Sequence, residues 1–288
     1  MKYTISDLQQ MYRRYRMQVL LLLLILIAAL VLVFQSRLLT LAALALALLF
    51  HLCVVRCQQK KYIHAFTCSN LEHTLCPKLG ITTVSEKGAA SITPDLLQKA
   101  DLMPFRQTLA TPLLRWELSG QMRGLSVSLC DAVLAQDFKL VEKGKQRVHM
   151  NTGIWTHIEL SKDTGMNLRL LDETSVPTPI RMNFFSRESF YTSSPIQDTE
   201  LAKRFVLYHP AADPAPVLPG RFLRELKKLK DYTPGYVAVS VHGSQLDIFI
   251  RNRFLTRPVS VRQAPTEELL NFDPFPELLY LLDLAGAL

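Results

Sequence analysis

Cysteine is scarce in this chain of 288 residues: there are five, beside 11 glycines and 16 prolines. Cys53, Cys57, Cys68, Cys76 and Cys130 are odd in number and irregularly spaced, so they build no disulfide framework. The glycine and proline counts exclude collagen-like and low-complexity chains. Charge is sparse too, at 20% Asp, Glu, Lys and Arg, against 49% hydrophobic residues. A chain this apolar can bury a core and is not disordered. The phosphate cradles GxxxxGK followed by Ser or Thr, and GxGxxG, are missing, which removes the case for a P-loop or dinucleotide fold. GxSxG and HExxH do not occur. Acids are spread singly through turns, so no carboxylate pair stands out for acid–base work. No cofactor or metal is expected.

The formal net charge is +8. Residues 1–61 hold eight Lys or Arg against the single acid Asp7, a net of +7. Residues 62–288 hold the other 25 bases and 24 acids, a net of +1. A phosphate-binding groove needs concentrated charge in the folded part, so nucleic acid is not an expected partner.

Two apolar runs dominate the N-terminal fifth. Met17 to Phe34 contains only Gln18 as a polar residue, and Leu38 to Val55 only Thr40 and His51. Each covers about 27 Å as a helix, against a hydrocarbon core of about 30 Å. Backbone groups in lipid must bond internally, so both runs are expected as helices. The link of Gln35, Ser36 and Arg37 makes them antiparallel neighbours. A secretory signal fits poorly, because no small-residue cleavage site follows Phe34 and a second run comes at once. The expected organisation is a cytosolic amphipathic segment 1–16, a transmembrane hairpin 17–61 with spans 17–34 and 38–55, a helical connector 62–110 and an α+β domain 111–288. Four bases precede the first run, three closely follow the second and one lies in the link. Lys and Arg are retained inside, so both termini and the domain are expected in the cytoplasm. Free thiols suit that compartment. Ser6 to Gln9 reads as a capping box that opens a helical extension of the first run, the favoured reading, or an interfacial helix lying on the membrane. His51 lies about a turn from Arg56 and reads as an interfacial imidazole.

After residue 61 the texture changes. Tyr62 to Lys78 has helical character, and a short helix is expected near Pro94 to Leu102. Leu114 to Ser119 and Leu125 to Val133 alternate around Gly120 to Gly124, the pattern of a hairpin. Ile154 to Leu160 and Met166 to Leu171 read as two strands with a turn at Lys162 to Gly165. Residues 172–200 read as mostly irregular. A short strand at Arg204 to Tyr208 precedes a helix at Gly220 to Lys230, whose Phe222, Leu223, Leu226 and Leu229 form one stripe. Tyr236 to Val241 and Leu246 to Ile250 alternate around Gly243-Ser244, the clearest hairpin. Asp273 and the following prolines predict a helix over Pro274 to Leu284. Hairpins with scattered helices define an α+β class with a mainly antiparallel sheet.

Three constellations carry candidate chemistry. His64, Cys68, His73 and Cys76 are ligand types that zinc accepts. On a continuous helix they point at about 0°, 40°, 180° and 120°, which cannot close one tetrahedron. Cys130 with His149 or His157 is a candidate nucleophile and base, against a packed thiol in an alternating strand. Arg221, Arg224, Lys227, Lys228 and Lys230 oppose the apolar stripe of their helix. Near an anionic leaflet such a face gains about 1 kcal/mol per base; in water it is a solvated surface.

The paired N-terminal runs, Ser119 to Val127, Thr152 to Glu159, Phe205 to Tyr208 with the helix to Leu229, and Val239 to Phe249 together resemble an uncharacterised bacterial family of two-span membrane proteins, which carries a domain of unknown function. The resemblance implies a bacterial inner-membrane protein with a cytosolic α+β domain, and it brings no catalytic residues. The expected function is a non-enzymatic binding or scaffold module for another membrane protein, a second copy of the chain, or lipid. The alternative is a tethered hydrolase using Cys130 or a His.

Overall fold

In the computed structural model, the described residues are 3–32, 36–81, 84–87, 92–100, 102, 113–142, 145–172, 191–256 and 263–288. The helices are α1 (Ile5–Leu32), α2 (Arg37–Phe50), α3 (Arg56–Thr74), α4 (Cys76–Leu79), α5 (Pro94–Ala100), α6 (Thr199–Ala202), α7 (Gly220–Tyr232), α8 (Glu267–Leu270) and α9 (Leu278–Ala285). The chain folds as two compact units. One holds Met1–Thr74 and Thr256–Asp273, the other Leu75–Leu255 and Pro274–Leu288. The first unit thus runs through Thr74 and also takes in a piece from near the end of the chain.

In the first unit, α1 is one helix of 28 residues, so the segment before the first apolar run is its extension. Its cap sits two residues earlier than Ser6. The Asp7 N–H donates to Thr4 Oγ1 at 3.2 Å and the Thr4 N–H to Asp7 Oδ2 at 2.9 Å, a reciprocal capping box. Helices α2 and α3 run on through a π-helical turn at His51–Val55. Leu8, Ala65, Phe66 and Leu270 form a small buried core. Asn70 Nδ2 donates to the carbonyls of Leu270 at 2.7 Å and Phe272 at 2.8 Å, closing the end of α8. Tyr62 stacks between Tyr12 and Phe66, and burial, then Tyr12, pushes its phenol up to about 12.

The second unit is built on β1 (Ser85–Lys87), β2 (Leu113–Met122), β3 (Leu125–Glu142), β4 (Lys145–Glu159), β5 (Asn167–Asp172), β6 (Tyr191–Ser194), β7 (Phe205–Pro210), β8 (Val237–His242) and β9 (Gln245–Arg251). They form one antiparallel sheet in the order β1-β2-β3-β4-β9-β8-β5-β7-β6. The expected hairpins at β2–β3 and β8–β9 are present. The first turns on Arg123 (φ 54) and Gly124 (φ 79), a two-residue primed geometry. The link at Lys162 to Gly165 does not join neighbours. It carries the chain past β9 and β8, so β5 pairs with β8 and β7. Within 172–200, β6 and α6 are ordered elements, and 173–190 lies outside the described residues. The final helix begins at Leu278 rather than Pro274, since prolines at 274 and 276 remove donors that a preceding turn would need.

Alternation divides the sheet into two covered faces. Cys130, Ala132, Trp155, Leu171, Tyr208, Ala238 and Phe249 share a core with Leu97 and Ala100 of α5. Three polar pins hold this segment down. The Ile92 N–H donates to Glu117 at 3.3 Å, Arg169 donates to the carbonyls of Ala100 and Lys99 at 3.1 Å each, and the Tyr236 hydroxyl donates to the Leu102 carbonyl at 2.8 Å. Arg169 sits where the last carbonyls of α5 need donors. Asp172 alternates with Leu171 and so projects from the opposite face, where Lys230 of α7 meets it. Helix α7 therefore lies on that second face, and α9 packs on it through the Tyr232–Tyr280 pair, whose centroids are 4.9 Å apart.

Candidate functional site

The five bases read as one face in the sequence have different fates. Arg221, Arg224 and Lys227 are exposed. Lys228 pairs with Glu225 at 2.9 Å. Lys230 is not on the outer face at all. It is buried against Asp172, with side-chain exposures of 6% and 0%, and donates to the Gly235 carbonyl at 2.7 Å. The reason is periodic: Lys230 follows Leu226 by four and Leu223 by seven, so it falls in the apolar stripe. Acids from another element also reach this face. Lys227 holds the carboxyls of Asp198 and Glu200 low, behind their stronger local hydrogen bonds. The positive field here is weaker than the sequence of the helix implies.

Cys130 is fully buried, directly opposite Trp155. Burial, then Glu117 and Asp131, pushes its thiol well up, the reverse of an activated nucleophile. His149 pairs with Gln136 six residues further along β4, about 20 Å away. In α3, Cys68 Sγ lies 3.8 Å from His64 Nδ1, while His73 Nδ1 is engaged with the Ser69 carbonyl at 2.7 Å. Among the described residues no group of three His, Cys, Asp or Glu is placed to hold a metal ion.

Sequence reasoning missed a polar row that crosses the sheet under α5. Register places Ser119, Ser128, His157, Asp247, Ser240, Arg169, Tyr208 and Ser193 opposite one another on eight successive strands. The next row on the same face is apolar: Cys130, Trp155, Phe249, Ala238, Leu171 and Val206. Six members of the polar row, from Ser128 to Tyr208, are buried. Asp247 Oδ1 accepts from Trp155 Nε1 at 2.9 Å and bonds His157 Nδ1 at 3.0 Å. Burial works against the imidazolium. The hydrogen bond and charge of Asp247, with Glu159 behind them, outweigh it and raise the His157 pKa. The carboxylate thus orients the ring and favours its charged form. One signal was available: His157 and Asp247 each follow the two-residue period of a core-facing aromatic, Trp155 and Phe249.

In the first unit, the two long apolar helices are long enough to cross a membrane, with only 11% of each apolar window buried. No protein-family model matches the chain, and no curated protein or solved structure is found to be similar to it.

Proposed function

We propose that the chain is an integral membrane protein in which α1 and α2 form a two-span hairpin, with both termini in the cytoplasm. The sheet unit is then a non-enzymatic binding or scaffold module at the inner face of a bacterial inner membrane. The observation that carries the reading is the exposed apolar surface of the two helices. Leu24 (61%), Leu30 (66%), Leu38 (78%) and Leu41 (67%) lie open along them. A contiguous patch of this size is unfavourable in water and is matched by lipid. The lopsided flanking charge supports the orientation. The weakened basic face of α7 argues for a protein partner, another membrane protein or a second copy, ahead of lipid. The hydrolase alternative loses support with the burial of Cys130, which pushes its thiol pKa up.

Fusion of alkaline phosphatase or green fluorescent protein after Leu288 tests this. The fluorescent fusion is expected to be bright and to sediment with membranes after carbonate extraction. Phosphatase activity in intact cells, or extraction of the protein by carbonate, overturns it.

A further inference from the structure

Arg16 stands immediately before the first apolar run, and Arg56 immediately after the second. Each has a second base on its own helix face. Arg13 precedes Arg16 by three residues in α1, and Lys60 follows Arg56 by four in α3. Residues at these spacings stand about 5–6 Å apart at Cβ, and two like charges so placed destabilise a helix. All four side chains are exposed, and among the described residues none is in an ion pair. No Asp or Glu occurs in residues 8–71 to relieve them. Asp7 is held by Thr4. Helix α8, which opens with Glu267 and Glu268, docks at Leu8, Ala65 and Phe66, about 7 Å further along α1 and α3 from the pairs. The Tyr12–Tyr62 contact, with ring centroids 5.6 Å apart, puts both pairs at one end of the hairpin.

We propose that each pair grips the phosphodiester of one anionic glycerophospholipid, such as phosphatidylglycerol, in the leaflet at this end of the hairpin. The proposal rests on the two-span reading. Depth fits the occupant. Each pair reaches from the edge of its apolar run to about 5–6 Å beyond it, and the headgroup layer on one side of a bilayer is about 5–7 Å thick. Charge fits as well. A phosphodiester between two cations relieves their repulsion, and the guanidinium forks of Arg13, Arg16 and Arg56 match its oxygens two at a time. A zwitterionic headgroup brings an ammonium that the same pair repels, so a net negative lipid is preferred. Arg14 and Lys61 lie at the same depth and are also exposed. They point roughly 100° or more away from both members of the neighbouring pair, so they add field and no grip. The surface has two discrete seats rather than a uniform positive collar.

The test uses the full chain in phosphatidylcholine liposomes carrying a trace of spin-labelled phosphatidylglycerol or spin-labelled phosphatidylcholine. Electron paramagnetic resonance reads the fraction of each label immobilised by the protein. Phosphatidylglycerol is expected to associate about 5-fold more strongly than phosphatidylcholine at about 50 mM salt, with the excess fading at about 1 M. Arg13→Gln with Arg16→Gln, and Arg56→Gln with Lys60→Gln, are each expected to remove about half of that excess, and all four together nearly all of it. Arg14→Gln with Lys61→Gln is expected to keep most of it. Both leaflets of a liposome carry the same lipid, so a variant that inserts the other way round is still read. Inorganic phosphate in place of chloride at equal ionic strength is expected to change nothing, and displacement of the lipid by it overturns the assignment to a headgroup. Equal association of the two lipids with the inserted parent overturns the proposal and leaves the membrane reading standing. A chain that carbonate strips from the liposomes overturns both. The two seats are refuted if Arg14→Gln with Lys61→Gln loses as much of the excess as either pair variant, or if neither pair variant loses any.

Discussion

Replacing Lys230 by methionine tests how α7 is held. Methionine keeps much of the length of the side chain and removes the charge. Asp172, which is 0% exposed, would then keep its carboxylate in the interior without the ammonium that faces it. Removing one member of a buried pair costs about 3–5 kcal/mol, mostly the penalty on the charge left behind. In a unit of this size each kcal/mol moves Tm by roughly 2–4 °C, so the loss is roughly 6–20 °C. Trp116 and Trp155 both lie in the sheet unit, so tryptophan emission of the nanodisc-embedded chain follows its unfolding by heat or urea. The double variant Lys230→Met with Asp172→Leu is expected to recover most of the loss, since it buries no charge. The reasoning is refuted if Lys230→Met unfolds with the parent while losing affinity for anionic vesicles. That pair of results would put the ammonium at the surface and detach α7 from the β5 face.

Three further perturbations have defined outcomes. The folded-state pKa of His157 lies above its unfolded value, so its contribution to stability is complete below the unfolded pKa and fades as pH rises through the folded one; the stability gap between parent and His157→Gln, from urea titrations, is therefore expected to be larger at about pH 5.5 than at about pH 9, and a gap that grows with pH contradicts the assignment. Iodoacetamide at about pH 8 is expected to label Cys130 at least about tenfold more slowly than a free thiol until urea opens the sheet, as read by peptide mass spectrometry; rapid labelling of the native protein would revive the nucleophile. A Cβ at Gly153 would meet the Ile250 carbonyl oxygen at 2.2 Å and Phe249 at 2.8 Å, so Gly153→Ala is expected to cost about 1–3 kcal/mol by forcing β4 and β9 apart, whereas Gly220→Ala, with open space around it, should leave the urea midpoint near the parent value.

Local grammar was legible and long-range placement was not. Gly243-Ser244 fixes its hairpin where the alternation places it, whereas the turn expected over Gly120 to Gly124 narrows to Arg123-Gly124, because β2 continues through Met122 in register with β3. The stripe of α7 was readable for its apolar members. Lys230 was misplaced because its charge was weighed above its position, although the partner Asp172 occupies the same kind of anomalous slot in β5. The link at Lys162 to Gly165 has the composition of a turn whether it joins neighbours or crosses two strands, so it does not reveal that β5 pairs with the free edge of β8. The dyad of His157 and Asp247 stayed hidden for the same reason. The residues stand 90 apart and become neighbours only through the pairing of β4 with β9. The docking of α8 on α1 and α3 was also out of reach, since a four-residue helix leaves almost no periodic trace.

The excursion of Thr256–Asp273 out of the sheet unit and back again has a consequence for how that contact can be so small. Leu270 reaches Ala65 and Phe66 with little surface of its own, yet it is delivered there on a leash anchored at both ends. Such tethering gives Leu270 a high effective concentration at that cluster, so a weak grip suffices to hold the contact. A free peptide copying the excursion would have to compete against that local supply, and cutting the leash at either end would remove the advantage without altering a single contacting side chain.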